Sequence, residues 1–439
     1  MDRAGWWLLA IVALALAVRL VVAVRFASVR GFDGGDQSDY LLLAQNLLDG
    51  QGYRTTGGPT AWRTPGYPLV LAAVLRVAQA LPWDLPVRGV AGVAQATIGA
   101  GTVALTGLLG RRIARPAVGL VGAALLAVWP SVVVLTAVML NETLFSLLLL
   151  AGVLVAFWHP LPSVRLGLAA GGLLGSAVLV RPAALPVALS LALWLAIVGG
   201  GRRRVAAVLA GVAIVMAPWV VRNAVVFDAL IVTDTHGGYA LCQSNRPGAG
   251  PADPDDPYCR FQGATEVEND RRHRDRALEW MVSHPADGAR LVVERMAVMA
   301  GNDGYIVSEL ADRDRPDPRF PPMLEYDLTR LADGFWRVAA PLGALGVGLL
   351  LVRRRSRPAT LVLLSVMVLP LFVTVTPRLH QPIIPLLALG VGADIDALWR
   401  RGRSWATSRR PSNPEGARTG PEVESRSDAV GCGRVESPS

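Results

Sequence analysis

Four carboxylates and four arginines stand where this sequence can do chemistry. Asp33, Asp36 and Asp39 are spaced by three within Gly31–Leu69, a segment too polar to cross a bilayer that follows the first apolar run. Glu142 lies in Met139-Leu-Asn-Glu-Thr-Leu-Phe145, between two apolar runs. A carboxylate at a membrane boundary is costly to bury and is a functional candidate by default, although an acid there also suits the first turn of a helix. Arg63, Arg181, Arg222 and Arg378 occur in Arg63-Thr-Pro-Gly, Arg181-Pro, Pro218-Trp-Val-Val-Arg222-Asn and Pro377-Arg-Leu-His-Gln-Pro382. A guanidinium fork matches phosphate oxygens, while a single interfacial arginine also simply snorkels to water. Carboxylates that activate a hydroxyl, beside arginines that hold a phosphate, make a group-transfer site. His236, in Thr235-His-Gly-Gly-Tyr239, and His380 are further candidates, the two glycines allowing close approach of a ligand. The acidic run Asp253, Asp255, Asp256 reads as a solvated loop more readily than as a cation site.

These side chains need elements to hold them. Tyr40, Leu43, Ala44, Leu47 and Leu48 fall at helical spacing, predicting a short amphipathic helix with Asp36 as N-cap and Gly50 and Gly52 as its stop. Such a helix is expected along the membrane surface, apolar face down. The chain of 439 residues is 52% hydrophobic and 18% charged, with a mean hydropathy of +0.41. It therefore reads as an all-α polytopic membrane protein. The formal charge of +9 comes from arginine alone, clustered between apolar runs as in cytoplasmic loops, so no nucleic-acid partner is expected.

Trp6 to Val24 is long enough for a first span, an uncleaved anchor with Arg19 snorkelling from its end. Residues 66–80 are short and contain Arg76, which predicts an interfacial or re-entrant helix. Further apolar runs cover 87–110, 116–139, 143–158, 164–180, 183–200, 205–227, 336–352, 358–376 and 379–393, giving about ten spans. With the N-terminus inside, the arginines at 111–115, 202–204 and 353–357 and the basic tail all fall on the cytoplasmic face. The same topology puts the first loop (31–85), Glu142 and the loop 228–335 outside. The predicted organisation is an N-terminal membrane region (1–227), an extracytoplasmic small domain (228–335), C-terminal spans (336–395) and a disordered cytoplasmic tail (396–439). Residues 270–300 read as helical, and 312–322 as a loop. Cys242 and Cys259 would share an oxidising compartment and can pair, while Cys432 stays reduced inside.

Asp36, Tyr40, Ala44 and Gly50–Gly52, with Arg63-Thr-Pro-Gly-Tyr-Pro-Leu69, resemble the first extracytoplasmic loop of GT-C glycosyltransferases. The likeness is to the bacterial relatives of protein O-mannosyltransferases and aminoarabinose transferases, glycosyltransferase family 39. Asn141-Glu142-Thr-Leu-Phe, Pro-Trp-x-x-Arg222-Asn, Thr235-x-x-Gly-Tyr239 and Arg378-x-x-x-Pro382 are similar to further motifs of that family. The resemblance implies a GT-C-like fold and transfer of a sugar, hexosyl or pentosyl, from a polyprenyl-phosphate donor to a glycan, lipid or protein acceptor at the outer face of the cell membrane. It implies Asp36 as catalytic base or acceptor-orienting acid and Glu142 as a supporting acid. Arg378, Arg222, Arg63 and Arg181 become donor-phosphate ligands, and Tyr40, His236 and His380 substrate contacts. The family includes metal-dependent and metal-independent members, so no metal ligands are named and a divalent metal stays open. A transporter or flippase, or a non-catalytic scaffold, would share the many spans. A transporter would carry ionisable groups at mid-span or paired broken helices, whereas these acids sit at span ends.

Overall fold

The computed structural model describes residues 2–27, 35–82, 86–249, 257–261, 263, 265–310, 317–373 and 376–408. Asp33, the acidic run 253–256, residues 311–316 of the Asp/Pro loop, Cys432 and the tail beyond 408 lie outside the described residues.

The fold is almost wholly helical. In chain order come α1 (Arg3–Phe26), α2 (Gly35–Leu48), α3 (Gly66–Gln79), α4 (Val87–Ile113), α5 (Pro116–Val128), α6 (Pro130–Val134), α7 (Glu142–Ala156), α8 (Val164–Val180) and α9 (Leu185–Ile197). There follow α10 (Arg202–Phe227), α11 (His236–Ser244), α12 (Glu266–Ser283), α13 (Pro285–Gly301), α14 (Tyr305–Ser308), α15 (Pro322–Val352), α16 (Arg357–Leu364), α17 (Pro370–Val373) and α18 (Ile384–Ser408). A hairpin of β1 (Arg54–Thr55) and β2 (Gly58–Pro59) follows α2. The described residues up to Ala397 form one compact unit. Residues 228–335 thus belong to the main unit. The helix continuing to Ser408 overruns the start of the tail expected at 396.

Among the described residues, five helices are long and apolar enough to cross a membrane: α1, α4, α10, α15 and the stretch Pro377–Arg403 that includes most of α18. The pair Pro116–Val128 and Pro130–Ala137, bent by 59°, is a broken span or a re-entrant loop. The other apolar runs form shorter helices, Glu142–Ala156, Val164–Val180, Pro182–Ile197 and Arg357–Val373, so the expected ten spans resolve into long, broken and short pieces. Gly66–Gln79, expected not to cross, is another short apolar helix. The chain is a multi-pass membrane protein.

The bend has a cause. Pro130 has no N–H for the Leu126 carbonyl, and the turn at Trp129 also frees Ala127. Arg19 supplies both lost donors, its Nη1 to Ala127 O at 2.9 Å and its Nη2 to Leu126 O at 3.0 Å. It is fully buried, which corrects the expected snorkelling. Gly99 makes room, since a Cβ there would lie 2.9 Å from Arg19 Nε.

Two further expectations change. The helical stretch 270–300 is two helices, broken at His284 where Pro285 opens α13. Asp36 lies in the first turn of α2 rather than at its N-cap. The apolar face of α2 packs on protein, with Tyr40, Leu43 and Ala44 buried and Tyr40 edge-on to Tyr67 of α3 at 5.0 Å. Positive φ angles at Gly50 and Gly52 end the helix as expected.

The two ends of the bundle differ in charge. Helix α7 starts at Glu142 and α8 ends beside Arg181. At the opposite ends of these helices, Arg112 donates to Trp158 O at 2.6 Å and Arg204 to Pro162 O at 2.8 Å, while Arg111 pairs with Asp2 at 2.8 Å.

Candidate functional site

The site is built around one guanidinium. Arg378, in the 3-10 turn Pro377–Ile383, faces a different acid with each of its nitrogens. Its Nη2 bonds Asp36 Oδ2, its Nε lies 3.9 Å from Glu142 Oε1, and its Nη1 lies 3.8 Å from Glu309 Oε1. Asp36 Oδ1 meets a second guanidinium, Arg63 Nη2, at 2.5 Å. Arg63 also holds Asp39, with Nε and Nη2 each 3.0 Å from Oδ2. Arg181 Nη2 lies 3.1 Å from Glu142 Oε1. Seven charged side chains from six separate stretches of chain thus form one network.

Packing explains how α2, the first loop and the later helices meet. Tyr53, after α2, hydrogen-bonds the Arg63 carbonyl at 2.9 Å. Thr64 Oγ1 donates to Val180 O at 3.0 Å, and Gly66 allows contact there, since a Cβ would lie 2.7 Å from Leu179 O. This joins the loop bearing Arg63 to the helix end bearing Arg181. Asn141 Nδ2 donates both to Tyr40 Oη at 2.9 Å and to Val180 O at 3.0 Å, fixing Glu142 beside them. Gln37, next to Asp36, donates to Glu309 O at 2.9 Å and accepts from Met139 N at 3.2 Å.

Burial by itself would raise the Asp36 carboxyl, but Arg378 and Arg63 outweigh it and hold Asp36 well below the usual carboxylate range. Glu309 goes the other way: burial, with the charges of Asp36 and Glu142, raises it above the usual range despite Arg378. Burial and the neighbouring Arg63 push His236 down to about 3, so it is a neutral imidazole at physiological pH. Its ring stands edge-on to Trp62 at 4.7 Å, and Trp62 in turn packs against Tyr239 and Phe261. Asp234 is raised to about 7, chiefly by burial. Tyr40 is raised, by burial and by Asp36, and stays a neutral phenol. Among the described residues, Glu142 has its ion pairs but no well-aligned hydrogen bond, and the Tyr67 hydroxyl is buried with no hydrogen-bond partner.

Among the residues singled out from sequence, Asp36, Glu142, Arg63, Arg181 and Arg378 come together, with Tyr40 and His236 beside them. Arg222 does not join them. Its Nη1 donates to Thr60 O and its Nη2 to Tyr53 O, both at 2.8 Å, and it lies over Trp219, Phe227 and Tyr53. It clamps the hairpin and is not free for a phosphate. His380, expected as a substrate contact, is buried under Trp336 with both ring nitrogens engaged, Nδ1 with Met299 O at 2.7 Å and Nε2 with Asp303 at 2.8 Å. It anchors the turn that carries Arg378. A disulfide joins Cys242 to Cys259 and fastens α11 to the segment before α12. No cluster of three metal-ligating side chains occurs among the described residues.

Glu309 was missed. It lies in Tyr305-Ile-Val-Ser-Glu309-Leu, outside the apolar runs, where the only visible signal is an acid in a short apolar patch of the large loop.

No family model matches the chain, and no curated protein matches it in sequence. Solved structures do. The oligosaccharyltransferase AglB from Archaeoglobus fulgidus, in complex with an inhibitory peptide and a dolichol-phosphate, aligns over 95% of this chain and 53% of its own at TM-score 0.51 and 12% identity. The apo form of the Archaeoglobus fulgidus oligosaccharyltransferase aligns over 93% and 52% at TM-score 0.52 and 13% identity. ArnT from Cupriavidus metallidurans, bound to undecaprenyl phosphate, aligns over 94% and 82% at TM-score 0.44 and 14% identity. The chain spans about half the length of the archaeal structures it matches. The archaeal likenesses show the fold: over nearly its whole length this polytopic chain is folded like these oligosaccharyltransferase structures.

Proposed function

We propose that this protein transfers a sugar from a polyprenyl-phosphate donor to an acceptor hydroxyl at the outer face of the cell membrane. The observation that carries the reading is the bridging of Asp36 by Arg63 and Arg378, which are distant in sequence, on this fold. Arg378 and Arg63, with Arg181 behind them, supply the positive charge that a phosphate leaving group needs in the transition state. Asp36 orients the acceptor hydroxyl, and Glu142 holds Arg181 and Arg378 in place. Tyr40 and the neutral His236 offer uncharged contacts to the sugar. The bond from the anomeric carbon to the phosphate oxygen breaks as the acceptor oxygen attacks, and polyprenyl phosphate leaves with the electron pair. The transferred group is a hexosyl or pentosyl residue, and the acceptor a glycan, lipid or protein. AglB has been solved with a dolichol-phosphate, a lipid phosphate of the class proposed here as leaving group. What supports the outer-face location is the arginine-rich opposite end of α4, α7, α8 and α10, the end expected to face the cytoplasm.

The test is transfer by protein in lipid, from a panel of labelled polyprenyl-phosphate sugars to membrane extract. Wild type is expected to move label from one donor. Asp36→Asn, folded by melting temperature, is expected to lose at least about 100-fold in rate. Equal transfer by both proteins would remove Asp36 from the mechanism.

A further inference from the structure

Resting on that reading, we propose that Glu309, rather than Asp36, takes the proton from the acceptor hydroxyl. Three observations lead there. The first is the occupancy of Asp36: each of its oxygens faces a guanidinium, Oδ1 that of Arg63 and Oδ2 that of Arg378. A proton on Asp36 would break a largely enclosed ion pair and leave an arginine uncompensated, which is costly. Asp36 is built to stay ionised, which suits a group that orients a hydroxyl and does not suit one that must accept its proton.

The second is the position of Glu309. It faces the neighbouring nitrogen of the same guanidinium, Nη1, at 3.8 Å, beyond hydrogen-bond reach. Asp36 and Glu309 therefore flank one end of Arg378, so an acceptor oriented by Asp36 stands next to Glu309. The spacing is fixed through the backbone, because Gln37 donates to the Glu309 carbonyl at 2.9 Å. Glu309, 16% exposed, shares with Asp36, at 18%, a way out to solvent for a proton that Glu142, at 1%, lacks.

The third is charge. The groups that face Glu309 are Arg378 from the 3-10 turn, Asp36 from α2, Glu142 from α7 and, on its own element, Tyr305. Among the described residues, four carboxylates (Asp36, Asp39, Glu142, Glu309) share three guanidiniums (Arg63, Arg181, Arg378), and Glu309 is the acid whose nearest guanidinium is farthest, at 3.8 Å. A donor phosphate on Arg378 adds a further negative charge and weakens the pull of Arg378 on Glu309. Donor binding thereby raises the basicity of Glu309 before the acceptor arrives. In the step itself, the acceptor oxygen bonds the anomeric carbon and its proton passes to Glu309 Oε. The carbon–oxygen bond to phosphate breaks, and Glu309 then returns the proton to water.

The test is the pH dependence of transfer in protein reconstituted in lipid, with long-chain polyprenyl phosphate as the binding probe. Wild-type kcat is expected to rise with pH along an acid limb and level off. Glu309→Gln should lose about 100-fold or more in kcat and lose that limb, while binding polyprenyl phosphate as tightly as wild type or more so. Glu309→Asp should keep more activity than Glu309→Gln, with its acid limb displaced. Residual activity of Asp36→Asn should keep the wild-type limb. Transfer by Glu309→Gln within threefold of wild type, with the limb intact, overturns the proposal. Should Glu309→Gln fail to fold, an undisplaced limb in Glu309→Asp overturns it instead. Wild type that moves no sugar from any donor removes the transferase reading itself, a result separable from an active Glu309→Gln.

Discussion

Asp36 and Arg378 lie 342 positions apart and meet in one ion pair, and the charge balance around them sets what each neighbouring acid can do. Asp234, which accepts from Gly237 N at 3.0 Å, shows the same physics where burial wins. Burial raises it to about 7, so between its unfolded value near 3.8 and that value the folded chain holds a proton that the unfolded chain has lost. The unfolded state then binds fewer protons, and stability falls as pH rises from about 4 to about 7. Asp234→Asn is expected to flatten the melting temperature against pH across that window. An unchanged slope would mean that Asp234 ionises normally in the fold.

At the scale of elements, the bent pair α5–α6 depends on a side chain from another helix. Arg19 donates to two carbonyls that Pro130 and the turn at Trp129 leave open, and membrane-embedded backbone has no water to replace it. Arg19→Ala is expected to cost about 3 kcal/mol, from two buried carbonyls left unpaired, and to lower the melting temperature in detergent. Arg19→Lys should recover part of the loss, since one ammonium can reach one carbonyl but lacks the fork. A melting temperature equal to wild type in Arg19→Ala would show that the bend holds without it. Glu266 plays a comparable part outside the spans. It accepts from Thr60 Oγ1 at 2.8 Å and Ala61 N at 2.9 Å and also bonds Thr235, so α12 grips the loop that ends in Arg63.

For the whole molecule, charge segregates along the bundle: the acid–arginine network at one end, the arginine clusters at the other. The positive-inside bias predicts that the network end faces out. Thr56→Cys, in the hairpin turn near the site, should react with a membrane-impermeant maleimide on intact cells. Arg354→Cys, between α15 and α16, should react only after permeabilisation. The reverse pattern would invert the topology and remove the outer-face reading with it.

Hydropathy and arginine placement determined the membrane class, because apolar length and loop charge are local properties that need no partner to be read. The first-loop helix was legible for the same reason: Tyr40, Leu43 and Ala44 keep helical spacing whatever they pack against. Asp36, Glu142 and Arg378 were legible as acids and an arginine at span ends. Only the tertiary structure decided which arginine serves which acid. Arg222 and Arg378 look alike in sequence, each within four residues after a proline at the end of an apolar run. One is consumed by the Thr60 and Tyr53 carbonyls, and the other stands among three carboxylates. His380 and Arg19 were misread because their partners, Asp303 and the opened carbonyls at Leu126 and Ala127, lie 77 and more than 100 positions away. Glu309 carried no periodic signal at all. It enters the site because Gln37 and Arg378 meet it there, and long-range contacts of that kind are fixed by how helices pack and not by any one stretch of sequence.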